Sequence, residues 1–127
     1  MKAHRPEDLH PLFARHFSAG DLDALVALYE DDAVLVPQPG ELRRGHAAIR
    51  ASLAEFLGMK GDFRMQPTKI LQADGVVLLF ADWTLTAKAP DGSPIALAGQ
   101  TSDVARRQPG GHWLYAIDSP FGAAGAG

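Results

Sequence analysis

The chain has 127 residues, 46% of them apolar, with a formal charge of −3 and no cysteine. One domain with a substantial buried core is expected at this length, and the mild acidity gives no electrostatic footprint for nucleic acid. Without cysteine there are no disulfides, thiolate metal sites or cysteine nucleophiles, so any chemistry must come from oxygen and imidazole groups.

No apolar run approaches the roughly 18 residues that a membrane span needs, and MKAHRPEDLH has no apolar signal core, so a soluble cytoplasmic protein without membrane partners is expected. Leu9, Leu12, Phe13 and Phe17 fall on one helical face, with Pro6 suited to the first turn, predicting a helix over 6–19 that Gly20 ends. Asp21 is an N-cap, and Leu22, Leu25, Val26 and Tyr29 predict a second helix reaching Tyr29. The β-branched stretch 33–36, closed by Pro37, reads as a brief edge strand. Ile49, Leu53, Phe56 and Leu57 give a third helix over 46–57, stopped by Gly58 and Gly61. Turn signals at Ala73-Asp74-Gly75, Pro90-Asp91-Gly92 and Pro109-Gly110-Gly111 then divide four strands, near 63–72, 76–89, 95–108 and 112–119, short connections making them an antiparallel meander. Three helices before one curved sheet is an α+β plan, a single domain over 1–121, with 122–127 (GAAGAG) expected to be a disordered tail.

Glu30-Asp31-Asp32 stand where the second helix meets the first strand. A calcium loop needs alternating oxygen ligands, a central glycine and a downstream bidentate acid, a pattern that DDAVLVPQPGE lacks. Acids that bond nearby backbone amides at a turn account for all three. His4, His10, His16, His46 and His112 show no metal-ligand spacing, and no glycine-rich phosphate loop follows a strand, so neither metal nor cofactor is implied.

The run SAGDLDALVALYEDDAVLVPQPGELRRGHAAIR, residues 18–50, resembles the N-terminal half of ketosteroid isomerase-like proteins in the nuclear transport factor 2-like superfamily, which also contains SnoaL-like polyketide cyclases. The similarity extends more weakly through DGSPIALAGQTSDVARR and GGHWLYAIDSP. It implies a cone in which a curved sheet wraps three helices around a mostly apolar pocket for a small molecule, and a homodimer paired through the sheet. It does not imply one reaction, because this fold hosts several. The isomerases' general-base aspartate falls at Pro37, which cannot move a proton, and their oxyanion-hole tyrosine falls at Phe13; only the second oxyanion-hole acid has a counterpart, Asp103. Steroid isomerisation by the usual route is not expected.

If Asp103 faces inward, strand alternation brings Thr101 and Gly99 with it, and a matching comparison of the last strand turns Leu114, Ala116 and Asp118 inward. Asp103 and Asp118 would then share an apolar cavity as an acid/base pair, desolvation and mutual repulsion raising their pKa values. The bland alternative pairs Asp103 with Arg64 or Arg106. Phe13, Phe56, Phe80, Asp82, Trp83, Thr101 and Ala116 are the candidate ligand-binding residues. The face of the second long strand that lines the pocket is either Val77, Leu79, Ala81, Trp83 and Leu85 or Phe80, Asp82 and Thr84, and the resemblance favours the latter. Of the histidines, His16 is expected nearest the cone, and Tyr29 and Tyr115 could each present a phenol to a ligand, although such tyrosines are usually core residues with their hydroxyls at the edge. A cofactor-independent lyase, isomerase or cyclase, a noncatalytic ligand-binding protein and a dimerisation module remain open.

Overall fold

The structure is a computed structural model that describes residues 2–123; residues 124–127 of the expected tail lie outside the described residues, and Phe121, Gly122 and Ala123 form a turn. A 3₁₀ turn over Pro6–Asp8 leads into α1, Leu9–Ala19, and Gly20 closes it at φ 68°, a left-handed conformation that glycine adopts without a Cβ penalty. Asp21 caps α2, Leu22–Val26, its carboxylate accepting from the Ala24 N–H at 3.1 Å. The strands β1 (Tyr29–Leu35) and β2 (Arg43–Arg44), the helix α3 (His46–Gly58), and then β3 (Asp62–Ala73), β4 (Val76–Lys88), β5 (Pro94–Arg107) and β6 (Trp113–Ser119) complete the order. No helix of the described residues is long and apolar enough to cross a membrane.

One six-stranded sheet runs β2-β1-β6-β5-β4-β3. The expected meander is β3 to β6, each pair antiparallel. Two expectations about the first half are corrected. The second helix stops at Val26 rather than Tyr29, because the Tyr115 N–H bonds the Leu28 carbonyl at 2.8 Å and Tyr29 pairs with Tyr115: sheet bonds take this backbone from the helix. The first strand is also no edge, since β1 lies between β2 and β6, parallel to the latter. Glu30, Asp31 and Asp32 are therefore strand residues, not turn residues.

The sheet buries one face. Along β4, Val77, Leu79, Ala81, Trp83 and Leu85 are buried while their alternates are half-buried or exposed, the period of two that a one-sided sheet produces. This face packs with Leu9, Leu12 and Phe17 of α1, Leu25 and Val26 of α2, and Ile49 and Leu53 of α3 into a single core. The helices do not fill the sheet's concavity completely, and the space left is the cavity described next.

Candidate active site

A cavity of about 50 Å³ opens between α1, α3 and the inner sheet face. Its walls are apolar. Phe13 and Phe17 come from α1, Leu53 and Phe56 from α3, Phe63 and Met65 from β3, and Trp83 and Leu85 from β4. The rings form a continuous wall, Phe17 and Phe63 having centroids 4.7 Å apart at 36° and Phe63 and Trp83 6.2 Å apart, distances usual for tilted and offset aromatic pairs. Polar groups are confined to one end, where His10, Thr101, Asp103, Tyr115 and Asp118 meet.

Asp103 and Asp118 face each other across the β5–β6 ladder, paired in register, and both are buried. Asp103 accepts hydrogen bonds from the Thr101 hydroxyl at 2.7 Å and the Ser119 backbone N–H at 3.2 Å, and its other oxygen lies 2.6 Å from His10 Nε2. The Tyr29 hydroxyl donates to Asp118 Oδ2 at 2.5 Å, and the Asp103 and Asp118 carboxyls are hydrogen-bonded to one another. Among the described residues, no buried side-chain nitrogen or oxygen lacks a partner.

Burial controls the electrostatics. Desolvation pushes the Asp103 carboxyl up to about 6, against the hydrogen bonds from Asp118, Thr101 and Ser119 that favour its anion. Asp118 is raised well above the carboxylate range, by burial first and then by the Asp103 charge and the hydrogen bond to Asp103. His10 falls to about 4 because burial disfavours the imidazolium, an effect that the neighbouring Asp118 charge only partly offsets. Tyr29 and Tyr115 are pushed well above 10 by burial and by the carboxylates around them. Near neutral pH the cluster thus holds a neutral imidazole and two phenols beside two carboxyls that burial pushes toward their protonated forms.

Phe13, Phe56, Trp83, Thr101, Asp103 and Asp118 all line this cavity. Phe80, Asp82 and Ala116 do not. The resemblance favoured the Phe80, Asp82 and Thr84 face of β4, but Trp83 and Leu85 point inward, leaving Asp82 exposed and Phe80 half-buried on the outer face, because the more apolar alternate set takes the core. On β6 the ladder is irregular: Ala105 pairs with Tyr115 and Val104 with Ile117, which leaves Ala116 as an extra residue. Such a bulge flips the alternation, so Tyr115 and Asp118 line the cavity together, whereas Leu114 and Ala116 do not. Gly99 does face inward, where a Cβ would stand 2.9 Å from the Pro120 carbonyl and 3.0 Å from Trp83 Nε1. Its bareness lets the indole donate to that carbonyl at 2.6 Å and so fixes the cavity's Trp83–Pro120 side. Arg64 and Arg106 pair with Asp62 and Glu30, not with Asp103.

Three members of the cluster, His10, Tyr29 and Tyr115, were not among the candidate site residues, Tyr115 because the bulge at Ala116 turns it inward. His10, not the half-buried His16, reaches the cavity; it stands three and seven residues before Phe13 and Phe17, and that helical spacing was the available signal. Tyr29 had none, since its place depends on pairing with β6. No group of three acids and histidines among the described residues could hold a metal ion.

A SnoaL-like domain profile matches residues 11–114. This chain belongs to the SnoaL-like family. Solved structures place that family's fold around the site. A conserved protein from Planctomyces limnophilus is similar at 19% identity and TM-score 0.76, covering 89% of both chains. A ketosteroid isomerase-like protein from Erwinia carotovora atroseptica is similar at 21% identity and TM-score 0.71, again over 89% of both. A candidate dehydratase of the nuclear transport factor 2-like family from Streptomyces avermitilis is similar at 16% identity and TM-score 0.71, covering 90% of this chain and 92% of its own. At these identities the similarity establishes the cone fold of the SnoaL-like chain, not its reaction. No curated protein matches it.

Proposed function

We propose that this SnoaL-like protein is a cofactor-independent acid/base enzyme, a lyase, isomerase or cyclase, acting on a small and largely apolar molecule of polyketide-like character. The observation that carries this reading is the buried Asp103–Asp118 pair at the one polar end of an aromatic cavity. Two neighbouring carboxyls that burial pushes toward protonation can supply a general acid and a general base. The neighbours described as a candidate dehydratase and as ketosteroid isomerase-like support the class of chemistry by analogy.

Ligand pockets usually measure about 300–1,000 Å³, so this cavity must widen to take a substrate, and half-buried Phe13, Phe56, Phe63 and Met65 are the walls with room to move. A second reading, a noncatalytic binding cavity, is favoured by the full internal satisfaction of the cluster. The two separate in a screen of cyclic ketones and hydroxy-ketones followed by mass spectrometry. Turnover that disappears in both Asp103→Asn and Asp118→Asn supports the enzyme. Saturable binding without product, unaltered in kind by either variant, supports the binder.

We also propose a homodimer through the sheet's outer face. Val34, Ile117, Val104, Leu78 and Leu71 are register partners across five strands, making one apolar row on a face whose Leu71, Leu78 and Ile117 are exposed. Light scattering tests this: Leu78→Lys should give the monomer mass, and a wild-type protein already monomeric at high concentration ends the proposal.

A further inference from the structure

We propose that His10 is a positioning residue that holds the negative charge on Asp103 and leaves the shared proton on Asp118, making Asp103 the base and Asp118 the acid. This rests on reading the cavity as an acid/base site, but it concerns where one proton sits and can be tested without a substrate.

The hydrogen-bond supply around the two carboxyls is unequal. Asp103 receives the Thr101 hydroxyl and the Ser119 N–H on one oxygen, and His10 Nε2 lies 2.6 Å from the other. Asp118 receives the Tyr29 hydroxyl at 2.5 Å, with Thr101 Oγ1 a distant 3.5 Å from its other oxygen. A carboxylate surrounded by donors is stabilised as the anion, and the partner with fewer donors keeps the proton and donates it across the pair. The imidazole decides the matter because its Nε2 has two roles. As the Nε2–H tautomer it donates to an ionised Asp103; with Nε2 bare it accepts from a protonated Asp103, and the anion then moves to Asp118.

Thr101 and the Ser119 amide favour the first arrangement. Both already aim donors at Asp103 Oδ1, and both bond an ionised carboxylate oxygen more strongly than the carbonyl oxygen of a protonated carboxyl. Every titratable group facing the pair belongs to this count: His10 from α1, Tyr29 from β1 and Tyr115 from β6. From α3, β3 and β4 the cavity receives only Leu53, Phe56, Phe63, Met65, Trp83 and Leu85, none of which titrates. Among the described residues no lysine or arginine forms a salt bridge with Asp103, so its hydrogen-bond donors are what favour the anion. His10 is itself fixed by burial and by stacking against Tyr115, centroids 6.0 Å apart at 30°.

The test is a carboxyl-detected NMR titration of the ligand-free protein and three variants. In the wild type, Asp118 should carry the protonated carboxyl shift at pH 7 and Asp103 the ionised one. His10→Phe, similar in size and without a donor, should raise the Asp103 midpoint by about one pH unit or more, and His10→Gln, which keeps an N–H at comparable reach, should return it most of the way. Such rescue separates positioning from mere packing, which Phe would preserve better. An ionised Asp118 beside a protonated Asp103 at pH 7 would overturn the proposal, as would equal Asp103 midpoints in the two His10 variants. If His10→Phe does not fold, the isosteres decide: Asp118→Asn mimics the assigned neutral acid and should melt higher than Asp103→Asn, and the reverse order overturns the assignment. Absence of turnover on any substrate, with the titration as expected, would remove the enzymatic reading and leave the proton placement standing.

Discussion

The protein has two groups of acids that ought to be judged against each other. Glu30, Asp31 and Asp32 are consecutive in the chain, whereas Asp103 and Asp118 are separated by the end of one strand, a turn and most of the next. Of the consecutive group, Asp31 and Asp32 are exposed, and half-buried Glu30 forms a two-pronged pair with Arg106 at 2.9 and 3.2 Å and accepts from Gln108 at 2.8 Å. Partial burial alone would raise the Glu30 carboxyl, but the Arg106 and Gln108 hydrogen bonds outweigh it and hold the group below its ordinary range. The separated pair is buried, with no lysine or arginine salt bridge among the described residues, and both members move upward. Adjacency in sequence therefore predicts little about chemistry. What counts is whether the side chains lose water together, since desolvation and not proximity along the chain makes a carboxyl hold its proton.

The comparison breaks most readily at Asp103. Asp103→Asn replaces one carboxylate oxygen by an amide N–H₂ that must face either the Thr101 and Ser119 donors or His10 Nε2, removes the charge those groups stabilise, and should cost about 2–4 kcal/mol in a urea titration at pH 7. Asp118→Asn should cost well under half of that; equal losses would mean that the pair is symmetric.

The pH dependence sharpens the same contrast. A carboxyl whose folded pKa is raised contributes stability that is complete below its unfolded value and is lost as pH rises toward the folded one. For Asp103 that window runs from about 3.8 to about 6, and for Asp118 it starts at the same place and extends upward. His10 has the opposite sign: its depressed folded pKa makes stability fall as pH drops from 6.5 to about 4, so it offsets Asp103 in that interval. If Asp118 keeps its proton above pH 6.5, stability declines there by about 1.4 kcal/mol per pH unit in wild type and stays flat in Asp118→Asn. Urea midpoints between pH 6.5 and 8 measure this directly, and a flat wild-type curve would mean that Asp118 is ionised already.

A smaller effect is expected at the cavity wall. Gly99→Ala inserts a methyl where the Pro120 carbonyl and the Trp83 indole already converge, and should cost about 1–3 kcal/mol with a shifted Trp83 emission. An unchanged spectrum would show that the C-terminal turn moves aside freely. Smallest of all are the consecutive acids. Glu30→Gln weakens an ion pair whose Arg106 side is exposed and should cost about 0.5 kcal/mol, reduced in high salt. Asp31→Asn and Asp32→Asn should leave the midpoint unchanged.

These contrasts also mark what could be read in advance. α1, α3 and the meander were legible because helical spacing at Leu9, Leu12, Phe13 and Phe17 and three glycine-containing turns report local preferences. Asp103 and Asp118 were legible as an inward pair, but the residues grouped with Asp118 were not: alternation carried Leu114 and Ala116 inward until the irregularity at Ala116 turned Tyr115 inward instead. Tyr29 was hidden for a related reason, because the helical period through Leu22, Leu25 and Val26 continues onto it, and only hydrogen bonds to β6 take it into the sheet.

The sequence by itself determined the periodicities, the turn positions and the family resemblance, all of which follow from neighbours along the chain and from side-chain type. Tertiary structure decided which face of β4 is inner, where β6 breaks register, and that His10 and Tyr29 close around the two acids. Those outcomes depend on pairing between residues far apart in the chain, where the energy lies in shared burial and cross-strand hydrogen bonds rather than in any local preference.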